Sequence, residues 1–292
     1  MRSPNNLTEV KCNICDSNDA EIISSADIGN IVRCNKCGLF YRTPRLSDTA
    51  EVNKYRHQVY NEPYSDIIGK AKKDIYVSTL KKLGSLRGKI LDVGCANGYF
   101  LTLAREQGWD PYGIEISEFL LRKARGNLGK KHIFGVSLKN ARFPSDFFDV
   151  ITLWDVLDHL MDPFAELMEI RRILKKKGVL IIRARNMSFH ILMNRLFQKK
   201  KFRTFKKITV FHLYGFNNKN TKILLEKANF SKIKIKNSKL TIGDPYSQIR
   251  LLGNKGIILV KTIYSAFSKL MSLISLRRIL ISPSIMIHAE KT

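Results

Sequence analysis

Ile90-Leu91-Asp92-Val93-Gly94-Cys95-Ala96-Asn97-Gly98 is the stretch whose reading decides the fold. Ile90 to Val93 is a short apolar, partly β-branched run. Gly94 and Gly98 flank Cys95-Ala96-Asn97, and an amphipathic segment follows at Tyr99–Gln107. Glycine lacks the Cβ that obstructs a tight turn, and it lets a ligand approach the backbone closely. A strand ending in such a turn places the turn at its carboxyl end, where open α/β sheets bind ligands.

The pattern repeats downstream. Short apolar runs at Tyr112–Ile116, Ile133–Val136, Val150–Leu153 and Val179–Ile182 alternate with amphipathic segments at Phe119–Asn127 and Pro163–Leu174. Strands alternating with helices of this length predict βαβ units and a mainly parallel sheet covered on both faces. Glu115 ends the second run, 23 positions after Asp92. A carboxylate there can accept hydrogen bonds from both hydroxyls of a ribose. A nicotinamide-binding turn would read G-x-G-x-x-G, with a third glycine for close helix–strand packing. That glycine is missing here. Asp92 also suits a sulfonium amino acid better than a pyrophosphate. Two glycines alone remain compatible with a purely structural turn.

Before this region, Cys12-x-x-Cys15 and Cys34-x-x-Cys37 stand 18 residues apart. Two such turns can aim four thiolates at one ion, which is zinc-ribbon spacing. Four thiolates close the shell and leave no open position for a substrate, so the metal is read as structural. Buried free cysteines and redox activity are the competing readings. Five cysteines used in this way fit a reducing compartment. The N-terminus has no apolar leader-like run, and no uncharged apolar stretch of membrane-spanning length is present. The expected location is cytoplasmic.

The net charge of +26 is unevenly placed. Residues 1–170 hold 23 Lys and Arg against 22 acids, whereas residues 171–292 hold 28 against Glu226, Asp244 and Glu290 alone. Such asymmetry points to a polyanionic partner: an anionic membrane, nucleic acid or a phosphorylated substrate. The plain alternative is a solvated lysine-rich surface. Phe189, Phe197, Phe202, Phe205 and Phe211 interleave with Arg195, Lys199–Lys201, Arg203, Lys206 and Lys207. Lys255–Leu276 is a second apolar and cationic segment. Both read either as cap helices packed on the domain or a second subunit, or as elements lying in a membrane interface.

Taken in order, these motifs resemble the class I S-adenosylmethionine-dependent methyltransferases. They resemble in particular bacterial members with an N-terminal zinc ribbon, often associated with sugar or surface-polysaccharide pathways. The resemblance rests on Arg33–Phe40 with Thr43-Pro44-Arg45, on Ile90–Gly98, and on Phe148–Ile151 followed by Asp155–Pro163. It continues through Leu174–Gly178, His212-Leu213-Tyr214 and Leu224–Phe230. It implies a Rossmann-like seven-stranded sheet with the last strand antiparallel, a small zinc ribbon and helical cap insertions. The implied domain plan is a zinc ribbon over 1–50, a helical linker over 51–82 and a methyltransferase domain over 83–292.

By position, the resemblance places Asp92, Gly94, Cys95 and Gly98 around the methionine part of S-adenosylmethionine. Glu115, with Ile116, would hold the ribose. Ser137 and Leu138 would border the adenine, and Trp154 and Asp155 would line the methyl-transfer side. The chain departs from the family at Lys139 and Asn140, where relatives often carry an acid for the adenine. It departs again at Lys175-Lys176-Lys177-Gly178 and at Arg185-Asn186. Arg185 thereby becomes a candidate contact to an acidic substrate.

Transfer to a hydroxyl or carbon acid needs a base. The candidates are His159 and His212, with Tyr214 third. The expected acceptor is a small-molecule, sugar or glycan-linked anion, met at the inner membrane face. An RNA methyltransferase is the second expectation, although the near-balanced ribbon disfavours nucleic acid as partner. A membrane-peripheral, non-enzymatic protein retaining the fold is the third.

Overall fold

The computed structural model describes residues 7–25, 28–57, 62–84, 87–199, 211–241, 262–264, 266–268, 270–271, 274 and 280–292. The basic run at 200–210 and most of 242–279 lie outside them, so the cap expected there is described only through its flanks.

The N-terminal strands are β1 (Leu7–Thr8), β2 (Ala20–Ser25), β3 (Asn30–Cys34), β4 (Phe40–Thr43) and β5 (Arg45–Leu46). Helices α1 (Asp48–Arg56), α2 (Glu62–Ala71) and α3 (Lys73–Lys82) follow. The central alternation is β6 (Lys89–Val93), α4 (Tyr99–Glu106), β7 (Asp110–Ile114), α5 (Glu118–Leu128), β8 (Ile133–Phe134), β9 (Phe148–Trp154), α6 (Pro163–Ile173) and β10 (Leu174–Arg185). The chain then forms α7 (Met187–Lys199), β11 (Tyr214–Gly215), α8 (Asn218–Lys227), β12 (Phe230–Asn237) and β13 (Ser284–Lys291).

Seven strands make one sheet in the order β12-β13-β10-β9-β6-β7-β8. β13 runs antiparallel to both its neighbours, while β6 to β10 pair in parallel. This is the Rossmann-like methyltransferase sheet, with its reversed strand. The chain runs from β6 outward to β7 and β8, then returns to lay β9 on the other side of β6. The switch point therefore falls between β6 and β9, where ligands of open α/β sheets bind. The central strands are buried on both faces, so their sequences are nearly continuous apolar runs.

Local chemistry sets the helix starts. Asp162 caps α6 by accepting from the Ala165 N–H at 3.0 Å, with Pro163 in the first turn. Asn217 and Asn220 cap α8 reciprocally.

Some expected boundaries move. β7 stops at Ile114, so Glu115 and Ile116 stand on the loop beyond it. β8 is only two residues long. The lysine run at 175–177 does not precede the fifth strand; it lies inside β10 as an irregularity between Leu174 and Val179, with Lys177 at φ +62.

The ribbon is built into the larger domain. Its sheet, β11-β4-β3-β2, takes β11 from the far part of the chain, with Tyr214 opposite Tyr41 and Gly215 opposite Phe40. Arg42 donates to the carbonyls of Phe211 at 3.0 Å and His212 at 3.2 Å. Buried Arg45 donates to the Tyr214 hydroxyl at 2.9 Å and the Met161 carbonyl at 2.8 Å. The apolar core runs without a break from Ile14, Val32 and Tyr41 to Leu91, Ile151 and Ile182.

Candidate functional site

The loop after β6 is held from below. Gly94 and Gly98 adopt φ of +73 and +78, a region that only glycine enters cheaply. The N–H groups of Gly94 and Cys95 both donate to the Ile114 carbonyl, at 2.8 and 2.9 Å. Glu115 then clamps the turn: its carboxylate accepts from the Ala96 N–H at 2.9 Å and the Ser117 N–H at 2.8 Å. Asp92 accepts from the Thr152 hydroxyl of β9 at 2.7 Å.

Asp92 and Glu115 are buried, and neither has an ion-pair partner among the described residues. Burial, partly offset by the Thr152 hydroxyl and the charge of Lys72, pushes the Asp92 carboxyl up to about 8. Burial also raises Glu115 against the opposing pull of its backbone donors. Two buried acids without a counter-ion, beside a glycine turn, call for a ligand that brings positive charge and hydroxyl donors. The Ser117 hydroxyl, buried without a hydrogen-bond partner, adds an unfilled polar group beside them. S-adenosylmethionine, with its sulfonium, ammonium and ribose, fits this donor set.

The remaining predicted cofactor residues divide. Ile116 adjoins Glu115, and its backbone N–H helps to hold that carboxylate. Ser137 is exposed and opens a short helical turn, accepting from Asn140 and Ala141 at 3.0 Å. Leu138 turns its side chain into the core, so only its backbone remains for an adenine. Trp154 lines no open surface. Its ring packs between Tyr76 of α3 and Phe100 of α4, at centroid distances of 4.8 and 5.1 Å. Asp155 binds Arg183 of β10 and, at 2.5 Å, Lys72. These two cations hold its carboxyl below the usual carboxylate range. Lys72, between α2 and α3, and Tyr76 roof the switch point. Nothing in the sequence of 51–82 singled them out.

Beyond Asp155 lies a second cluster. The rings of His159 and His212 stack with centroids 3.7 Å apart. The Tyr55 hydroxyl is 2.9 Å from His159 Nδ1. Arg185 Nη2 lies 3.0 Å from His212 Nε2, and Arg185 Nε lies 3.7 Å from the Asp158 carboxylate. An arginine can only donate, so His212 Nε2 is the acceptor and its proton sits on Nδ1. Burial, aided by Arg185 and the neighbouring histidine, pushes His212 down to about 2; burial and Arg185 push His159 to about 4. Both rings are therefore neutral near pH 7. Burial drives Asp158 the other way, to about 7, with Arg185 opposing. Arg185, His212, His190 and Met187 line a small cavity of about 10 Å³ here, room for about one water. Asp158, His159 and His212 are close enough to share an ion, with ligand atoms within 4.8 Å. The Arg185 charge at the same point favours an anion instead.

The four ribbon cysteines also converge, with all sulfurs within 4.8 Å and the pairs Cys12–Cys37 and Cys15–Cys34 at 3.3 and 3.5 Å. Tetrahedral zinc with sulfur at about 2.3 Å needs sulfur–sulfur edges of about 3.8 Å. The turns close through Asp16 N–H to the Cys12 carbonyl at 2.8 Å and Gly38 N–H to the Cys34 carbonyl at 2.9 Å. The set fits a structural zinc.

A family profile described as a methyltransferase domain matches residues 55–235. A ubiquinone biosynthesis O-methyltransferase of Histophilus somni is 29% identical over 115 residues, covering 36% of this chain and 48% of that protein. A tRNA U34 carboxymethyltransferase of Trichodesmium erythraeum is 31% identical over 103 residues, covering 32% and 31%. The chain spans less than half the length of the curated relatives it matches. Phosphoethanolamine N-methyltransferase 2 of Haemonchus contortus, solved with S-adenosyl-L-methionine, superposes with a TM-score of 0.54 at 16% identity, over 86% of this chain and 61% of that one. At that identity the likeness is one of fold.

Proposed function

The chain belongs to the methyltransferase-domain family, and from that premise we propose that it transfers a methyl group from S-adenosylmethionine to a small anionic acceptor, of sugar or glycan-linked type. The observation that carries this reading is the pairing of unlike half-sites across the switch point. Asp92 and Glu115 on one side are buried with no ion-pair partner among the described residues. Arg185 on the other presents one to a cavity lined by a neutral histidine.

S-adenosylmethionine supplies an electrophilic methyl group on a sulfonium. Asp92 and Glu115 would hold its charge and ribose, and the Gly94–Gly98 turn would admit it to the backbone. On the acceptor side, Arg185 now covers the lone pair of His212 Nε2. An acceptor anion that draws the guanidinium away uncovers that nitrogen, which then takes the acceptor's proton at Nε2. Negative charge close by also raises the imidazole's affinity for the proton. Asp158, buried beneath, positions Arg185. Its partly neutral carboxyl keeps it from competing fully with the acceptor.

The test is methyl transfer from radiolabelled cofactor to panels of sugar phosphates, nucleotide sugars and lipid-linked glycans, with RNA alongside. Label entering an anionic sugar acceptor, with KM raised by about tenfold or more in Arg185→Ala, supports the reading. Label entering RNA alone overturns it.

A further inference from the structure

Ile263, Phe267, Leu270 and Ile274 are each more than half exposed. All four occupy helical positions. Their spacing of four, three and four residues stacks them on one face of a helix. The flank about a quarter-turn away is fixed to the protein. The Tyr264 hydroxyl donates to the Ile281 carbonyl. Ser268 is buried, and its carbonyl accepts from Asn237 Nδ2 at 3.0 Å. The Tyr264 ring meets Phe189 of α7 edge-on, at 6.1 Å between centroids. Tyr264 and Ser268 are thus held by the protein while the four apolar side chains stay exposed. Leu192, one turn beyond Phe189 on α7, is exposed as well.

The charge of the sequence flanking these residues selects a partner. No acid occurs between Asp244 and Glu290, while Lys255, Lys261, Lys269, Arg277 and Arg278 fall in that interval. Lys239, which is exposed, borders the small cavity beneath the helix with Tyr264 and Ser268. A second copy would bring the same positive charge against itself. Anionic headgroups complement it and take apolar side chains into the acyl boundary below. No helix among the described residues is long and apolar enough to cross a membrane, so a surface-lying mode is the one this ridge serves.

We propose that the ridge of Ile263, Phe267, Leu270 and Ile274 seats the protein on an anionic lipid surface. One consequence rests on the acceptor cavity assigned above: α7 links the two places, since His190 lines that cavity while Phe189 packs on Tyr264. An acceptor carried on a lipid would reach the histidines from the surface on which the ridge lies.

The experiment is flotation of the full-length, zinc-replete protein with phosphatidylglycerol or phosphatidylcholine vesicles. It needs no methyl transfer, so its outcome is independent of the acceptor assignment. The protein is expected to float with phosphatidylglycerol and at least about tenfold less with phosphatidylcholine. Binding should weaken as salt rises from about 0.1 M to about 1 M and shortens the screening length from about 10 Å to about 3 Å. Phe267→Asp with Leu270→Asp should lower flotation at least about tenfold, with the far-ultraviolet spectrum and zinc content unchanged. In Phe267→Trp, vesicle addition should blue-shift the emission, and brominated lipid should quench it. Equal flotation of the double variant and the parent, with the new tryptophan unquenched, overturns the proposal. So does failure of the parent to float. A dimer in solution that the same double substitution dissociates would give the ridge to a second copy and would equally overturn it.

Discussion

The two sides of the switch point are built in opposite ways. The cofactor side comes from one contiguous stretch, Asp92 to Gly98, plus Glu115, and it is electrostatically unfinished. The proposed acceptor side is gathered from α1, the turn after β9, the end of β10 and the approach to β11, and its groups pair with one another: Tyr55 faces His159, His159 packs ring to ring with His212, and His212 meets Arg185. One side waits for a charge, and the other must release one. Substitutions on the first should therefore act through binding, and substitutions on the second through turnover.

The largest separation is expected for His212→Ala. Loss of the proposed general base should lower kcat by about 10²- to 10⁴-fold, with cofactor affinity unchanged in calorimetry. Restoration of activity by added imidazole would sharpen the assignment. A parallel fall in cofactor affinity would erase the contrast between the two sides.

Zinc removal is the next lever. The ribbon reaches the acceptor side through the β4–β11 pairing and Arg42, which holds the His212 and Phe211 carbonyls. Chelation or Cys12→Ser should therefore misplace His212 and cost about 10²-fold in turnover. The cofactor loop, held by Ile114 and Glu115, should keep its affinity.

Glu115→Ala acts on the other side. It removes the proposed ribose acceptor and the clamp on Ala96 together, and should weaken S-adenosylmethionine roughly 10- to 100-fold in a titration.

The two sides were unequally legible in the sequence. The loop could be read because one short segment carries its turn glycines and Asp92, and because Glu115 follows at βαβ spacing. The cysteine pairs could be read for the same reason: ligand spacing is local. The histidine stack could not. His159 and His212 are 53 residues apart, and tertiary contacts bring them together: the pairing of Tyr214 and Gly215 with the ribbon sheet, Arg42 on the His212 carbonyl, and the Leu213 N–H on the Asp158 carbonyl. Trp154 and Asp155 were placed at the right strand end, but their surroundings depend on α2 and α3. Lys72 and Tyr76 descend from a segment whose sequence reads only as helix. Leu138 shows the same limit: its position after β8 was legible, while the direction of its side chain depended on the core beside it.

The smallest effect is a pH dependence on the cofactor side. Asp92 is raised in the folded protein. Its contribution to stability is therefore present below the ordinary carboxylate range and lost as pH rises through about 8. A cationic ligand favours the ionised form, so cofactor affinity should increase by up to about tenfold per pH unit until Asp92 has titrated, and then level off. Asp92→Asn should abolish the slope. The histidine side has the opposite tendency. Its rings are held neutral, so its stabilising contribution is lost as pH falls from the ordinary imidazole range toward 4.

The most direct measurement is isothermal titration of the zinc-replete protein with S-adenosylmethionine at several pH values, with Asp92→Asn and Glu115→Ala alongside. Saturable one-site binding that strengthens toward pH 8, loses its slope in Asp92→Asn and weakens in Glu115→Ala is the predicted result. No binding by the parent protein, or binding that both variants leave intact, would contradict the assignment of the Asp92–Gly98 turn to this cofactor.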